Sequence, residues 1–463
     1  MKANELRVAL IRGVTSPYFI LVMITLVGAI LRFYKLGEWG FWKDEIFTIS
    51  TKDDGLHAGL LGGSLATSLI KWAVAVLGTS EWSARLVPAI IGIISIPILY
   101  FPMRMLFGSD PALLASGLLA VSPWHIYWSQ NARFYILLLL FSTLSLLVLA
   151  ISLEKSRPWL ASVALAFLFL AARESLVALL LIPIALGYLL LLRFGRAQGF
   201  AVLRNRSVYL LLILLGLIGA LFAAPYVRYF SAWIAGFGRV NNSPGWIFAA
   251  TVYYVGVPTI CLGVYEAQSL LRKRIPWGYL LALWALLPLA VIMTLSLFHY
   301  TATRYIFISL PAWLILAGLA VSELGALAWP YRKLLSIGVA TLSFAMLLGQ
   351  DLYYYEYQNG NRENGRGAYQ FVRERLQPGD LVVASDSDVG DYYLGSQTYP
   401  MRLMDPARFE RYRRVWLVED MDASDLYPQQ LAWIKGHAQQ VADFDVLAIV
   451  RLFKMRVYLY EVP

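Results

Sequence analysis

The chain has 463 residues, is 59% hydrophobic, and has a mean hydropathy of +0.61. Soluble globular domains average about 45–50% apolar residues, so composition argues against a wholly soluble protein and for an α-helical polytopic membrane protein. The net charge of +10 is unevenly placed: residues 1–350 carry 26 Lys+Arg against 12 Asp+Glu, whereas residues 351–463 carry a net −4. The basic surplus lies among apolar segments, where it reads as membrane topology and anionic lipid, with no nucleic-acid partner. The single cysteine, Cys261, excludes a disulfide within the chain and a cysteine-based metal site.

A membrane-crossing helix needs about 20 mostly apolar residues. About eleven segments qualify in chain order: 17–36, 85–106, 111–123, 133–153, 158–172, 175–193, 208–224, 247–269, 277–297, 305–322 and 333–350. The first begins near Tyr18, is about span length and is followed by more spans, so no cleavable signal peptide is expected. Lys and Arg concentrate in alternate short loops, such as Arg272-Lys273-Arg274 and Arg332-Lys333. That asymmetry places the N-terminus in the cytoplasm. One span later, the first outer loop, 37–84, lies on the outer face of the cell (inner or plasma) membrane, and an odd number of spans places the C-terminal region there too. Residues 56–79 have helical apolar spacing but contain several glycines and Lys71, and are read as an amphipathic helix on the outer surface. Residues 1–350 form the expected transmembrane domain. Residues 351–463 form a small extracytoplasmic α/β domain, with a helix at Gly367–Leu376 and strands at Leu381–Ser385, Val415–Glu419, Val446–Phe453 and Val457–Val462.

The candidate chemistry centres on Trp39-Gly40-Phe41-Trp42-Lys43-Asp44-Glu45. Its aromatics suit an interfacial belt and its acids a solvated loop; alternatively, a carboxylate held at the membrane surface suits a general base. On the same side, Arg85, Arg133, Arg173-Glu174 and Arg304 sit near span ends. Such residues either snorkel or serve a function at membrane depth. A guanidinium there offers a fork for phosphate oxygens, and the neighbouring Tyr127 and Tyr305 suit a sugar or an apolar chain. The four histidines show no metal-binding spacing, and neither a GxxxxGK[ST] nor a GxGxxG stretch is present. No cofactor is required by this reading; a divalent metal on the carboxylate pair is possible but not indicated. The Asp386/Asp388 loop lacks the glycine and terminal glutamate of a calcium loop.

Four stretches in order carry a resemblance: Lys43-Asp44-Glu45; Glu81-Trp82-Ser83-Ala84-Arg85-Leu86-Val87-Pro88; Gln130-Asn131-Ala132-Arg133-Phe134-Tyr135; and Arg304-Tyr305 with Leu310-Pro311. Together they resemble the GT-C superfamily of polyprenyl-phosphate-sugar-dependent glycosyltransferases, in the branch of protein O-mannosyltransferases and lipid A aminoarabinose transferase. The resemblance implies a donor of that class and transfer of a sugar to an acceptor hydroxyl on the outer face, with inversion. It implies Asp44 as catalytic base, with Glu45 as its catalytic partner orienting it or the acceptor, Arg133 as a contact for the lipid phosphate, and Arg304 as a contact for the phosphate or the sugar. Tyr305, Lys71, Arg85, Tyr127 and Glu174 complete the candidate substrate-binding set. Where many relatives have a His-Pro-Pro-like stretch, this chain reads Leu61-Gly62-Gly63-Ser64-Leu65. The sugar and the acceptor (lipid, glycan or protein) therefore stay open. Two other readings also stay open: a transporter or flippase for a lipid-linked sugar, which predicts inverted repeats or broken helices, and a non-catalytic envelope assembly subunit.

Overall fold

A computed structural model describes residues 16–50, 63–194, 243–327, 329–448 and 452–462. The helices run α1 (Pro17–Phe33), α2 (Lys43–Ile49), α3 (Leu65–Leu77), α4 (Glu81–Phe107), α5 (Ser109–Ala120), α6 (Pro123–Ser129), α7 (Tyr135–Glu154), α8 (Trp159–Glu174), α9 (Leu181–Phe194), α10 (Pro244–Val255), α11 (Val257–Arg272), α12 (Pro276–Leu295), α13 (Leu310–Ala326) and α14 (Arg332–Glu356). After them come α15 (Gly365–Arg373), α16 (Ser387–Leu394), α17 (Ala423–Leu426) and α18 (Pro428–His437).

Among the described residues, six helices are long and apolar enough to cross a membrane, or seven if the bent pair α10–α11 counts as one span. The chain is a multi-pass α-helical membrane protein. The pair bends by 97° at Gly256, whose φ of +88° is open to glycine at little cost. The expected segment 17–36 is the 17-residue helix α1. The expected segment 111–123 corresponds to α5, only 12 residues long and buried on most sides in the bundle, with α6 following after two residues. The expected segment 208–224 lies outside the described residues. Of the expected amphipathic helix 56–79, residues 56–62 lie outside the described residues, and the helix that is described, Leu65–Leu77, leaves Trp72 and Val76 exposed.

Beyond α14 the chain forms a five-stranded sheet with order β2-β1-β3-β7-β4. Its strands are β1 (Leu381–Ala384), β2 (Tyr399–Pro400), β3 (Arg414–Asp420), β4 (Gln439–Asp443) and β7 (Met455–Glu461). β1 runs parallel to β2 and β3, and β7 is antiparallel to β3 and β4. The expected single strand Val446–Phe453 is instead two short strands, β5 (Val446–Leu447) and β6 (Leu452–Phe453), paired antiparallel. The strand β4 was missed because Gln439, Gln440 and Asp443 hide its pairing behind a polar sequence.

One face of this sheet closes against the first loop. Val382, Ala384, Trp416, Val418 and Val457 share an apolar core with Phe41 and Ile46 of that loop, Ile70 of α3 and Ala84 of α4. The other face packs under α18 and the turns around Phe409. The compositional break near residue 350 falls within α14, so the last long helix runs directly into the C-terminal region.

Candidate active site

The acidic pair sits in the first turn of α2, where exposed backbone N–H groups favour negative charge. The pair splits by burial. Glu45 is fully buried, whereas the Asp44 side chain is 19% exposed. Trp39 and Phe41 are buried core residues, which corrects the reading of them as an interfacial belt.

Glu45 is held from three sides. Arg85 grips it with two hydrogen bonds, Nε to Oε1 at 2.8 Å and Nη2 to Oε2 at 2.7 Å. Arg362 Nη1 donates to Oε2 at 3.0 Å, and the backbone N–H of Ala132 donates to Oε1 at 2.8 Å. Burial pushes the Glu45 carboxyl up, but Arg85 and Arg362 outweigh it, and its pKa lies below its ordinary 4.5. Arg85 spends its remaining donors on the carbonyls of Leu36, Trp39 and Gly40. Expected to meet substrate, Arg85 is instead turned wholly into protein and ties the first loop to α4.

Asp44 faces different partners. Its Oδ2 lies 3.5 Å from Arg304 Nη1 and 3.9 Å from Arg133 Nη2. Arg133 Nη1 also donates to the Asp44 carbonyl and to Thr48 Oγ1, both at 2.9 Å. Four buried nitrogens, on these two arginines and on the α6–α7 segment that carries Arg133, have no protein hydrogen-bond partner: Arg133 Nε, Arg304 Nε, Asn131 Nδ2 and Trp128 Nε1. Asn131 is attached to the same loop, accepting from Trp42 Nε1 at 3.2 Å, and Trp128 packs on Tyr135 with ring centroids 4.0 Å apart. Buried donors without partners cost roughly 1–3 kcal/mol each unless something accepts from them. Together they suit an anion.

The other expected residues disperse. The Tyr305 ring lies 5.7 Å from the Arg304 guanidinium, so it borders the site. Tyr127 instead lies under Arg362 at 5.9 Å, in the aromatic cluster of Trp39 and Tyr354. Glu174 accepts hydrogen bonds from Ser64 Oγ and from the backbone N–H groups of Leu65 and Ala66. It caps the N-terminus of α3 and is not directed at Asp44. Lys71 lines a separate open groove of about 470 Å³ with Ile49, Ser50, Val74, Ala75, Gly78 and Thr79. Among the described residues, no three His, Cys, Asp or Glu side chains gather as metal ligands.

Sequence reasoning missed Arg362 and Gln130. Gln130 Nε2 donates to the carbonyls of Leu31, Arg32 and Tyr34 and fastens the α6–α7 turn to the end of α1. Arg362 follows Asn359, Gly360 and Asn361, all with positive φ. Asn and Gly tolerate that left-handed conformation, and this Asn-Gly-Asn turn is the one sequence signal that a side chain is being thrown back inward. A Cβ on Gly360 would come within 2.5 Å of Trp39. Gly360→Ala is therefore expected to cost about 1–3 kcal/mol of stability, read as a lower melting temperature.

The family model described as dolichyl-phosphate-mannose-protein mannosyltransferase matches residues 64–227. Among solved structures, ArnT from Cupriavidus metallidurans in the apo state matches with a TM-score of 0.59 at 14% identity, covering 95% of this chain and 97% of that one. AglB, an archaeal oligosaccharyltransferase from Archaeoglobus fulgidus, matches with a TM-score of 0.60 at 13% identity, covering 96% of this chain and 74% of that one. The chain has the GT-C fold. At such low identity the likeness is one of architecture, and it extends over the C-terminal sheet as well as the GT-C bundle. The ArnT structure bound to undecaprenyl phosphate matches with a TM-score of 0.56 at 14% identity, covering 94% of this chain and 97% of that one. The AglB structure is a complex with an inhibitory peptide and a dolichol-phosphate. No curated protein sequence matches this chain.

Proposed function

We propose that this GT-C protein is a glycosyltransferase that moves one sugar from a polyprenyl-phosphate-linked donor to an acceptor hydroxyl, with inversion, at the outer face of the plasma membrane. The observation that carries the reading is the meeting of one partly exposed carboxylate, Asp44, with Arg133 and Arg304 beside buried donors that lack protein acceptors. The relatives bound to polyprenyl phosphates support the donor class.

In this reading the donor phosphate accepts hydrogen bonds from Arg133 and Arg304. The acceptor oxygen attacks the anomeric carbon while Asp44 takes its proton. The bond from that carbon to the phosphate oxygen breaks, and polyprenyl phosphate leaves with the bonding pair. Preorganised cations in a water-poor site stabilise the charge growing on that leaving group more than the same cations in bulk water do. Inversion follows from direct displacement, as in glycosidases whose base activates the incoming oxygen. Glu45 does not share this chemistry, because its charge is already matched by Arg85 and Arg362.

Arg133→Gln and Arg304→Gln are each expected to weaken polyprenyl phosphate binding by roughly 10-fold or more, since a charge-assisted hydrogen bond contributes about 1.5–3 kcal/mol. Titration of the purified protein with polyprenyl phosphate checks this. Unchanged affinity in both variants would move the phosphate elsewhere. The sharp break between α10 and α11 is the feature a transporter reading can point to. That reading is tested by the same protein in sealed vesicles, where movement of the lipid-linked sugar without its consumption would favour it.

A further inference from the structure

The base-bearing helix α2 has only seven residues. A helix that short is not stable by itself in water, so the direction of Asp44 depends on what holds α2 from outside. The arginines that meet Asp44 come from the membrane bundle. The two residues that flank it in sequence also meet the C-terminal region, Glu45 in addition to its bonds from Arg85 and Ala132. On one side, Lys43 Nζ lies 3.3 Å from Asp386 Oδ2, at the N-terminus of α16. On the other, Arg362 Nη1 donates to Glu45 Oε2 at 3.0 Å, while its Nη2 and Nε bond the carbonyls of Gln130 and Gly360 at 3.2 Å. Tyr393 of α16 accepts a hydrogen bond from the Phe41 N–H and donates to Glu81 at 2.8 Å. Apolar contacts run the same way, with Phe41 and Ile46 in one core with Val389 and Met455.

We propose that the C-terminal region is a clamp on α2, in which Arg362 and Asp386 are positioning residues that hold the charges on either side of Asp44. Fixing a short helix at both flanking side chains sets its rotation, and rotation decides whether the Asp44 carboxylate faces Arg133 and Arg304. The consequence for turnover rests on the glycosyl-transfer reading; the clamp itself does not. Misplacing a reacting group by about 1 Å costs on the order of 100-fold in rate, so the clamp acts on kcat more than on donor binding.

The test uses the full-length protein in nanodiscs, with Asp386→Asn, Arg362→Gln and Arg362→Lys. Asp386→Asn isolates the clamp. Asp386 Oδ1 caps α16 through the backbone N–H groups of Asp388 and Val389, and asparagine caps about as well as aspartate, so chiefly the pairing of Oδ2 with Lys43 is lost. Two quantities are read: amide hydrogen exchange across residues 43–49, and kcat and KM for a polyprenyl-phosphate sugar. Asp386→Asn and Arg362→Gln are each expected to speed exchange in α2 by roughly 10-fold. They are expected to lower kcat by about 10- to 100-fold with little change in polyprenyl phosphate affinity, and Arg362→Lys to restore part of kcat. If Arg362→Gln fails to accumulate, Asp386→Asn, whose pair is partly exposed, still decides the matter. Wild-type exchange in α2 together with wild-type kcat in Asp386→Asn would overturn the clamp while leaving the transfer reading intact. Faster exchange in α2, with no donor turned over by the unaltered protein, would support the clamp and count against the transfer reading.

Discussion

Replacing Asp44 by asparagine is expected to abolish donor consumption while polyprenyl phosphate still binds. The change removes one oxygen's charge and basicity and leaves size and shape alone. A positioned general base contributes about 10²–10⁴-fold to a rate. Glu45, its neighbour in sequence, is fully buried under Arg85 and Arg362. Removing the Asp44 charge also takes an anion away from Arg133 and Arg304, which lie 3.9 and 3.5 Å from its Oδ2. Phosphate affinity is therefore expected to hold or rise. Turnover that falls together with phosphate affinity would mean that Asp44 shapes the site and does not act on a proton.

The second large effect is on folding. Arg85→Met is expected to leave Glu45 buried with only Arg362 opposite it. Breaking a buried ion pair by removing one partner costs about 3–5 kcal/mol. Arg85 also gathers the carbonyls of Leu36, Trp39 and Gly40, so its loss frees the loop that carries α2. The expected result in detergent is a melting temperature lower on the order of 10 °C, or failure to accumulate a single dispersed species. The same cluster fixes the sign of a pH effect. Glu45 titrates below its ordinary 4.5 when folded, because Arg85 and Arg362 outweigh the effect of burial. Its contribution to stability is therefore fully present above that ordinary value and is lost as pH falls through the lower folded value. A melting series from pH 7 down to pH 3 should show this loss in the unaltered protein and much less of it in Glu45→Gln. An equal loss in both would assign the acid sensitivity to other groups.

The membrane helices were readable because each satisfies its own backbone hydrogen bonds, so an apolar run of the right length is enough evidence. The exceptions are instructive. α5 is only 12 residues long, and its burial is a property of its neighbours. Charge asymmetry assigns Asp44, Arg133 and Arg304 to one side of the membrane as an expectation, and in the structure Asp44 Oδ2 lies 3.9 Å from Arg133 Nη2 and 3.5 Å from Arg304 Nη1. The roles of Glu45, Arg85 and Glu174 could not be read that way. An ion pair between Glu45 and Arg85 spans 40 residues, and Glu45 to Arg362 spans 317. Nothing local in the chain distinguishes an arginine turned into protein from one turned toward a ligand. Glu174 likewise reads as an intramembrane acid in sequence, yet it closes the N-terminus of a helix 108 to 110 residues earlier. Only the Asn359-Gly360-Asn361 turn carried a local hint, through its need for left-handed backbone.

The most direct measurement of the central claim offers the purified protein a panel of polyprenyl-phosphate sugars, with envelope extract as acceptor, and follows release of free polyprenyl phosphate. The account predicts release from at least one donor, dependent on acceptor and absent in Asp44→Asn. No release from any donor, with polyprenyl phosphate still bound at the arginines, would contradict transfer and leave a binding or transport role for the same site.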